Sequence, residues 1–170
     1  MKTSTGLVGL LNLTKLQQLN LSGNYWLEDS SILAPIGELV SLQVLDLNFN
    51  QMGNLPVAGT GWNKHFVLVT YIDLSRIDSA DYIGIIACFA AFGNLTNMRE
   101  LFLSYNDFNG SLPKTLLILP HLKILDLSWN SLVGGIPISS SSDEEPASVE
   151  VLNLSNNKMS GALPTEHGKK

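Results

Sequence analysis

The 170-residue sequence predicts an α/β solenoid of about six turns, with a parallel β-sheet on the concave face and 3₁₀ helices, short helices and loops on the convex face. Two features carry this prediction: an apolar motif recurs at a nearly fixed period, and apolar residues spaced by three lie between several of its copies. Because one turn cannot bury its own apolar residues, such repeats fold only by stacking on one another.

The repeated motif has apolar residues at its first, fourth and sixth positions, and five of the six copies have asparagine at the ninth. The intervals between successive copies are 26, 27, 29, 24 and 27 residues, which is the spacing of solenoid repeats made of one strand and one helical segment. The copies begin at Leu16, Leu42, Val69, Met98, Leu122 and Val149.

Each motif is expected to form a short strand. Alternate side chains of a strand share a face, so Leu45 and Leu47 should point into the solenoid while Asp46 points outward. The asparagine stands where the chain bends inward, and its amide can pair with backbone groups that the bend leaves unpaired. Ile77 takes this position in the third copy and interrupts the series.

A second pattern fills the rest of the later repeats. The segments Gly110–Pro113 and Gly134–Pro137 follow their asparagines at the same distance, and each ends in an apolar residue and proline. Apolar residues then recur at every third position, as at Leu116, Leu119 and Leu122. This spacing predicts a 3₁₀-like or short helical segment on the convex side.

Together, the motif and the glycine–proline segments resemble the extracellular leucine-rich repeats of plant receptor-like proteins and receptor-like kinases, over residues 7 to 164. The resemblance implies a leucine-rich-repeat fold that binds a partner without catalysis. Members of this family usually carry paired cysteines in a cap at each end, whereas this chain has one cysteine, Cys88. The sequence therefore resembles a fragment of a longer array, without cysteine caps.

We predict a single leucine-rich-repeat domain over residues 1–170, with repeats around 10–33, 36–60, 63–91, 92–115, 116–145 and 146–165. Two stretches depart from the pattern. Val57 to Phe66 replaces the regular convex run and is a candidate functional loop. Ser139 to Ala147 is polar and acidic, which predicts a solvated connector or, alternatively, an acidic docking or phosphorylation loop at Ser142.

Composition argues against several functions. The net charge is −5, with ten basic and fifteen acidic residues, whereas a nucleic-acid surface needs clustered Lys and Arg. His65, His121 and His167 lack metal-ligand spacing, and no nucleophile-elbow motif occurs, so we expect neither an enzyme nor a cofactor.

Targeting signals are weak. The start of the chain lacks an unbroken apolar signal region, and the longest apolar stretch, Tyr82 to Phe92, is too short to span a bilayer and is predicted as a convex-side helix. The resemblance implies an extracellular or cell-surface protein, while a cytoplasmic location stays open.

The outward positions of the strands are the candidates for ligand binding. Phe102 stands out as a large apolar residue where the family tolerates polar ones, and exposed aromatic residues often anchor interfaces. Alternatively, Phe102 packs beside Tyr71 and Ile124. The aspartates and the aromatic residues before the asparagines have a competing scaffold interpretation, because the family often has these residue types there. The predicted ligand-binding residues are Asp46, Tyr71, Asp73, Glu100, Phe102, Tyr105, Asp126 and Trp129.

Five N-x-[ST] sequons suggest a glycoprotein, although such phrases also come with the family consensus. Asn12, Asn94 and Asn109 should lie off the strands, where glycosylation is easier. Asn20 and Asn153 should project from the concave face, where a glycan would block a ligand.

The leading functional prediction is a protein- or peptide-binding module of a plant receptor-like protein in defence or developmental signalling. A co-receptor kinase is a candidate second partner. One alternative is a soluble inhibitor of a microbial wall-degrading enzyme, resembling the polygalacturonase-inhibiting proteins, which are normally longer and capped by cysteines. The other is an intracellular interaction scaffold.

Overall fold

The computed structural model describes residues 8–25, 27, 33–51, 66–77, 95–137 and 148–161. These residues form a solenoid with two parallel sheets, so the predicted fold class is confirmed. Each of the six motifs supplies one strand to the larger sheet, which lies on the concave face. Its strands are β1 (Gln18–Asn20), β2 (Val44–Asp46), β3 (Tyr71–Asp73), β4 (Glu100–Phe102), β6 (Ile124–Asp126) and β8 (Val151–Asn153).

The strands of the larger sheet pair in chain order and without register slips. Leu45 stands opposite Leu19 and Ile72, and the same alignment continues to Leu101 and Leu125. Because side chains alternate across a strand, an aligned register places every central residue in the interior and every flanking residue on the concave face.

A smaller sheet runs beside the larger one. Its strands are β5 (Asn109–Ser111), β7 (Ser131–Gly134) and β9 (Lys158–Met159), paired in parallel in that order. The sequence pattern does not predict these strands, because they lie in the polar and glycine-containing segment after the asparagine and lack an apolar alternation.

The core lies between the larger sheet and the convex segments. The central strand residues Leu45, Ile72, Leu101 and Leu125 are completely buried. From the convex side they are covered by the residues of the three-residue pattern, all of them buried: Ile36, Leu39, Leu42, Leu116, Leu119 and Leu122. At the ends of the sheet burial is weaker, since Leu152 is only partly buried.

Short helical segments connect the strands, as the three-residue spacing predicts. Within the described ranges these are the 3₁₀ helix Phe66–Leu68 and the single-turn α-helices Leu33–Gly37 and Lys114–Leu117, and a further 3₁₀ helix, Val8–Asn12, precedes β1. Each of the α-helices has a proline near its start. Pro35 lies within Leu33–Gly37, and Pro113 directly precedes Lys114–Leu117, which fits the tolerance for proline in the first turn of a helix.

The asparagines at the ninth motif position tie neighbouring turns together. The Asn130 amide nitrogen donates to the backbone carbonyls of Leu103 (2.9 Å), Leu127 (3.0 Å) and Ser128 (3.2 Å). Its Oδ1 atom accepts a hydrogen bond from the Phe108 backbone N–H at 3.1 Å. One buried side chain therefore makes hydrogen bonds to four backbone groups around the bend.

Ile77 fills the asparagine position of the third turn without leaving the bend unsupported. Its side chain is buried, and its backbone N–H donates to Oδ1 of Asn106 at 2.9 Å. The Asn106 amide nitrogen donates to the Leu74 carbonyl, also at 2.9 Å. The asparagine of the fourth turn therefore supports the third turn, and its bond to the preceding turn is the same as the one that Asn130 makes to Leu103.

Several predictions concern residues outside the described part of the chain. These are most of the loop Val57 to Phe66, the acidic segment Ser139 to Ala147, the apolar stretch Tyr82 to Phe92, which includes Cys88, and the sequon at Asn94. Phe66 itself is described: it is buried at the start of its 3₁₀ helix. Among the described helices, none has the length and apolarity needed to cross a bilayer.

Candidate binding surface

The concave face carries two columns of side chains, one on each side of the buried central column. The register aligns the residues of each column from strand to strand. The first column is Gln18, Val44, Tyr71, Glu100, Ile124 and Val151. The second is Asn20, Asp46, Asp73, Phe102, Asp126 and Asn153.

The aspartates of the second column support the bend that follows each strand. Oδ1 of Asp73 accepts a hydrogen bond from the Ser75 backbone N–H at 2.9 Å, and Oδ1 of Asp126 accepts one from the Ser128 N–H at 2.8 Å. Asp46 does the same for the N–H of Asn48 at 3.1 Å. This side-chain turn is a favoured local use of aspartate, so these residues have a scaffold role whatever else they do.

A side-chain network crosses the first three strands. The Asn48 amide nitrogen donates to Oδ1 of Asp46 at 2.7 Å and to Oδ2 of Asp73 at 3.1 Å. Asn20 donates to the other oxygen of Asp46 at 3.0 Å. Burial and the charge of Asp73 outweigh these hydrogen bonds and raise the pKa of Asp46 above its ordinary value.

Tyr71 and Phe102 form an aromatic pair at the centre of the face. Their ring centroids are 5.4 Å apart with a 45° angle between the planes, and both side chains are half-buried. Burial, together with the charges of Asp73, Asp46 and Glu100, raises the pKa of Tyr71 to about 12. The predicted residues Asp46, Tyr71, Asp73, Glu100, Phe102 and Asp126 thus line one acidic surface around an aromatic centre.

The residues before the ninth motif position form a separate surface at the edge of the sheet, here called the edge stack: Phe49, Arg76, Tyr105 and Trp129. The Arg76 guanidinium carbon lies 4.5 Å from the centre of the Phe49 ring and 4.2 Å from that of Tyr105. Tyr105 in turn stacks on Trp129, with the centroids 5.1 Å apart and the planes within 9°. Arg76 therefore completes a continuous stack across four turns.

The structure thus divides the predicted binding residues into two groups. Tyr105 and Trp129 belong to the edge stack, and the other six belong to the concave columns. Arg76 was not among the predicted residues, although it shares the motif position of Phe49, Tyr105 and Trp129. That shared position was the signal that could have found it.

Of the sequons, Asn12 is exposed at the end of its 3₁₀ helix, off the strands as predicted. The prediction that Asn109 lies off the strands is wrong: Asn109 is the first residue of β5 and is half-buried, because the segment after the asparagine pairs into the smaller sheet. Within the described ranges, no three His, Cys, Asp or Glu residues are grouped so that they could hold a metal ion.

Comparison with known proteins identifies the type of repeat. A Leucine Rich Repeat family model matches residues 97–118, 121–142 and 148–169, and a second Leucine Rich repeat model matches residues 39–55. The chain is 30% identical to Receptor-like protein 39 of Arabidopsis thaliana over 156 residues, 77% of this chain and 17% of that protein. The chain belongs to the plant leucine-rich-repeat receptor-like family.

Two solved leucine-rich-repeat structures resemble the chain. The ectodomain of the Arabidopsis thaliana receptor kinase GASSHO1/SCHENGEN3, in complex with CASPARIAN STRIP INTEGRITY FACTOR 2, has a TM-score of 0.66 and 30% identity, covering 91% of this chain and 17% of that one. The Arabidopsis receptor kinase HAESA, in complex with the peptide hormone IDA and the co-receptor SERK1, has a TM-score of 0.53 and 25% identity, covering 89% and 27%. The chain therefore spans less than a third of the length of these relatives.

Proposed function

We propose that this chain is a non-enzymatic binding module that holds a protein or peptide against its concave face, as part of an extracellular plant receptor-like protein in defence or developmental signalling. The observation that carries the proposal is the half-buried aromatic pair Tyr71 and Phe102 at the centre of a face whose second column is otherwise polar. Aromatic residues in such central positions are the usual anchors of interfaces.

The charges around the aromatic pair favour a partner with a basic residue. Asp73 and Asp126 flank Phe102 in the register, and Glu100 flanks Tyr71. Within the described part of the chain, the carboxylate of Glu100 has no hydrogen-bond or ion-pair partner. The surface therefore favours a segment that places an apolar side chain next to a basic one, since the carboxylates attract the base while the rings bury the apolar group.

The solved relatives support a peptide or protein partner. GASSHO1/SCHENGEN3 is solved with CASPARIAN STRIP INTEGRITY FACTOR 2, and HAESA with a peptide hormone and a co-receptor. By this likeness, we propose a peptide or protein ligand for this chain, with a co-receptor kinase as a second partner.

Selection from a random peptide library displayed on phage, with the 170-residue chain as bait, tests the proposal. We expect the selected peptides to carry an apolar residue next to Lys or Arg, and Phe102→Ala to weaken their binding by about tenfold or more. Val133→Ala is the control, because Val133 is an exposed apolar residue that lies on the smaller sheet. Peptides that bind wild type and Phe102→Ala equally would refute the concave-face assignment.

A further inference from the structure

The edge stack occupies a bend position that has a left-handed backbone conformation in all six turns, although a bulky side chain is disfavoured there. Phe49, Arg76, Tyr105 and Trp129 have φ between 53° and 55°, the left-handed region that disfavours bulky side chains. In the first and last turns the same position is occupied by Gly23 and Asn156, which adopt this region more readily. Retained strain of this kind points to a role for the side chains themselves.

An open cleft of about 470 Å³ lies against the stack, and this volume is typical of small-ligand sites. Its walls are formed by Arg76, Ile77, Tyr105, Asn106, Asp107 and Trp129. The Asn106 side chain is fully used, because its nitrogen donates to the carbonyls of Leu74, Leu103 and Ser104 and its oxygen accepts from Ile77. Among the described lining residues, the polar side-chain groups that remain for a ligand are those of Arg76 and Asp107, the Tyr105 hydroxyl and the Trp129 indole N–H.

The guanidinium group of Arg76 packs between two aromatic rings, which leaves its N–H groups available to a ligand. Aromatic rings cover both faces of the guanidinium, at 4.5 and 4.2 Å. Its N–H groups donate to none of the residues that the structure describes. The exposed carboxylate of Asp107 likewise has no partner among them. The cleft thus offers hydrogen-bond donors from Arg76 and acceptors from Asp107, and the opposite charges of these two residues cancel.

Trp129 supplies an apolar platform beside these groups. Tyr105 covers one face of the indole, yet Trp129 remains 50% exposed. Part of the indole that Tyr105 leaves uncovered lines the cleft. A platform of this kind accepts a flat apolar surface.

We propose that this cleft binds a neutral oligosaccharide. A sugar ring presents an apolar C–H face that packs on the indole of Trp129, and its hydroxyl groups both donate and accept hydrogen bonds, as Asp107 and Arg76 require. An anionic ligand would be repelled by Asp107 and a cationic one by Arg76, whereas a neutral polyhydroxylated ligand uses both. This site is separate from the concave surface and does not depend on the proposed function.

The test is an NMR titration of the 170-residue chain, made in bacteria so that no glycan is attached at Asn109, with the indole N–H signal of Trp129 as the readout. The neutral probes are cellohexaose, xylohexaose and mannohexaose, and the anionic comparison is hexagalacturonate. We expect at least one neutral probe to shift the Trp129 signal saturably and to bind more tightly than hexagalacturonate.

Variants distinguish binding in the cleft from binding at other surfaces of the protein. Affinity, measured by calorimetry, should fall by about tenfold or more in Trp129→Ala and Asp107→Asn, and should be unchanged in Phe102→Ala and in Ile118→Ala, an exposed apolar control. Asp107→Asn is expected to keep the fold, because the exposed Asp107 has no described partner. Absence of binding by all three neutral probes, preference for hexagalacturonate, or undiminished binding by Asp107→Asn would overturn the proposal.

Discussion

Single asparagines determine how well the bends of this solenoid are satisfied. Asn130 is buried and pairs with four backbone groups, whereas Asn24, at the same motif position in the first turn, is exposed and donates to the carbonyls of Leu21 at 2.8 Å and Ser22 at 3.4 Å. Water can replace the hydrogen bonds of an exposed asparagine but not those of a buried one.

We therefore expect Asn130→Ala to lower the free energy of unfolding by about 3 kcal/mol and Asn24→Ala to lower it by less than about 1 kcal/mol. Urea denaturation of both variants and the wild-type chain, followed by circular dichroism, measures the difference. Equal losses in the two variants would show that burial does not control the contribution of this position.

The ionisation of Tyr71 makes the stability of the protein fall with rising pH in the alkaline range. Its pKa is raised from 10.0 to about 12, first by burial and then by the charge of Asp73, so the folded state binds the phenolic proton more tightly than the unfolded state. The stability that this provides is complete below pH 10 and is lost as the pH rises through about 12.

Tyr71→Phe should accordingly lose less stability than the wild-type chain between pH 10 and pH 12, since phenylalanine cannot ionise. Urea unfolding at several pH values in this window measures how steeply the free energy of unfolding falls with pH in the variant and in the wild-type chain. As a control on the cause, Asp73→Asn should lower the pKa of Tyr71 in an NMR titration of its ring signals. An unchanged pKa in that variant would refute the influence of Asp73.

At the scale of the secondary-structure elements, the smaller sheet depends on backbone conformations that only some residues adopt. The last residue of β7, Gly134, has a φ of 78°, and a Cβ atom there would lie 3.4 Å from Oγ of Ser111 on β5. The next residue, Gly135, does not have a positive φ, and a Cβ atom there would make an ordinary contact with the Ser160 carbonyl at 3.5 Å.

Gly134→Ala should therefore destabilise the protein by about 1–2 kcal/mol, whereas Gly135→Ala should have little effect. Thermal melts of the two single variants provide the comparison, with about 3 °C expected for each kcal/mol. The explanation fails if the adjacent alanine, at position 135, lowers the melting temperature as much.

At the scale of the whole molecule, stability is distributed unevenly along the solenoid because each turn contacts only its neighbours. Leu125 on β6 is completely buried between β4 and β8, whereas its counterpart Leu152 on β8 is only partly buried. The same leucine in the same strand position therefore has a different packing environment in adjacent turns.

Leu125→Ala is expected to cost about 3–4 kcal/mol and Leu152→Ala less than half of that, since the second substitution leaves no enclosed cavity. Guanidinium denaturation gives both values. Hydrogen exchange should also be faster in β8 than in β6, and equal protection of the two strands would contradict the uneven distribution.

The sequence by itself determined the repeat, the strands of the concave sheet and the column to which each residue belongs. It could do so because a buried strand needs alternate apolar residues and a solenoid needs a constant period, and both requirements are local in the chain. Phe102, Tyr71 and the aspartates were therefore assigned to one face from their spacing alone. Their function as a ligand site remains a prediction.

Only the tertiary structure decided which residues of neighbouring turns meet. Arg76 lies between Phe49 and Tyr105, whose positions are 27 and 29 residues away along the chain, and the smaller sheet joins polar segments with no apolar pattern. Likewise, Asn106 accepts a hydrogen bond from the backbone N–H of Ile77 in the preceding turn. These contacts depend on the lateral alignment of the turns, which is set by the packing of the whole core and by the left-handed bends that direct the edge residues outward.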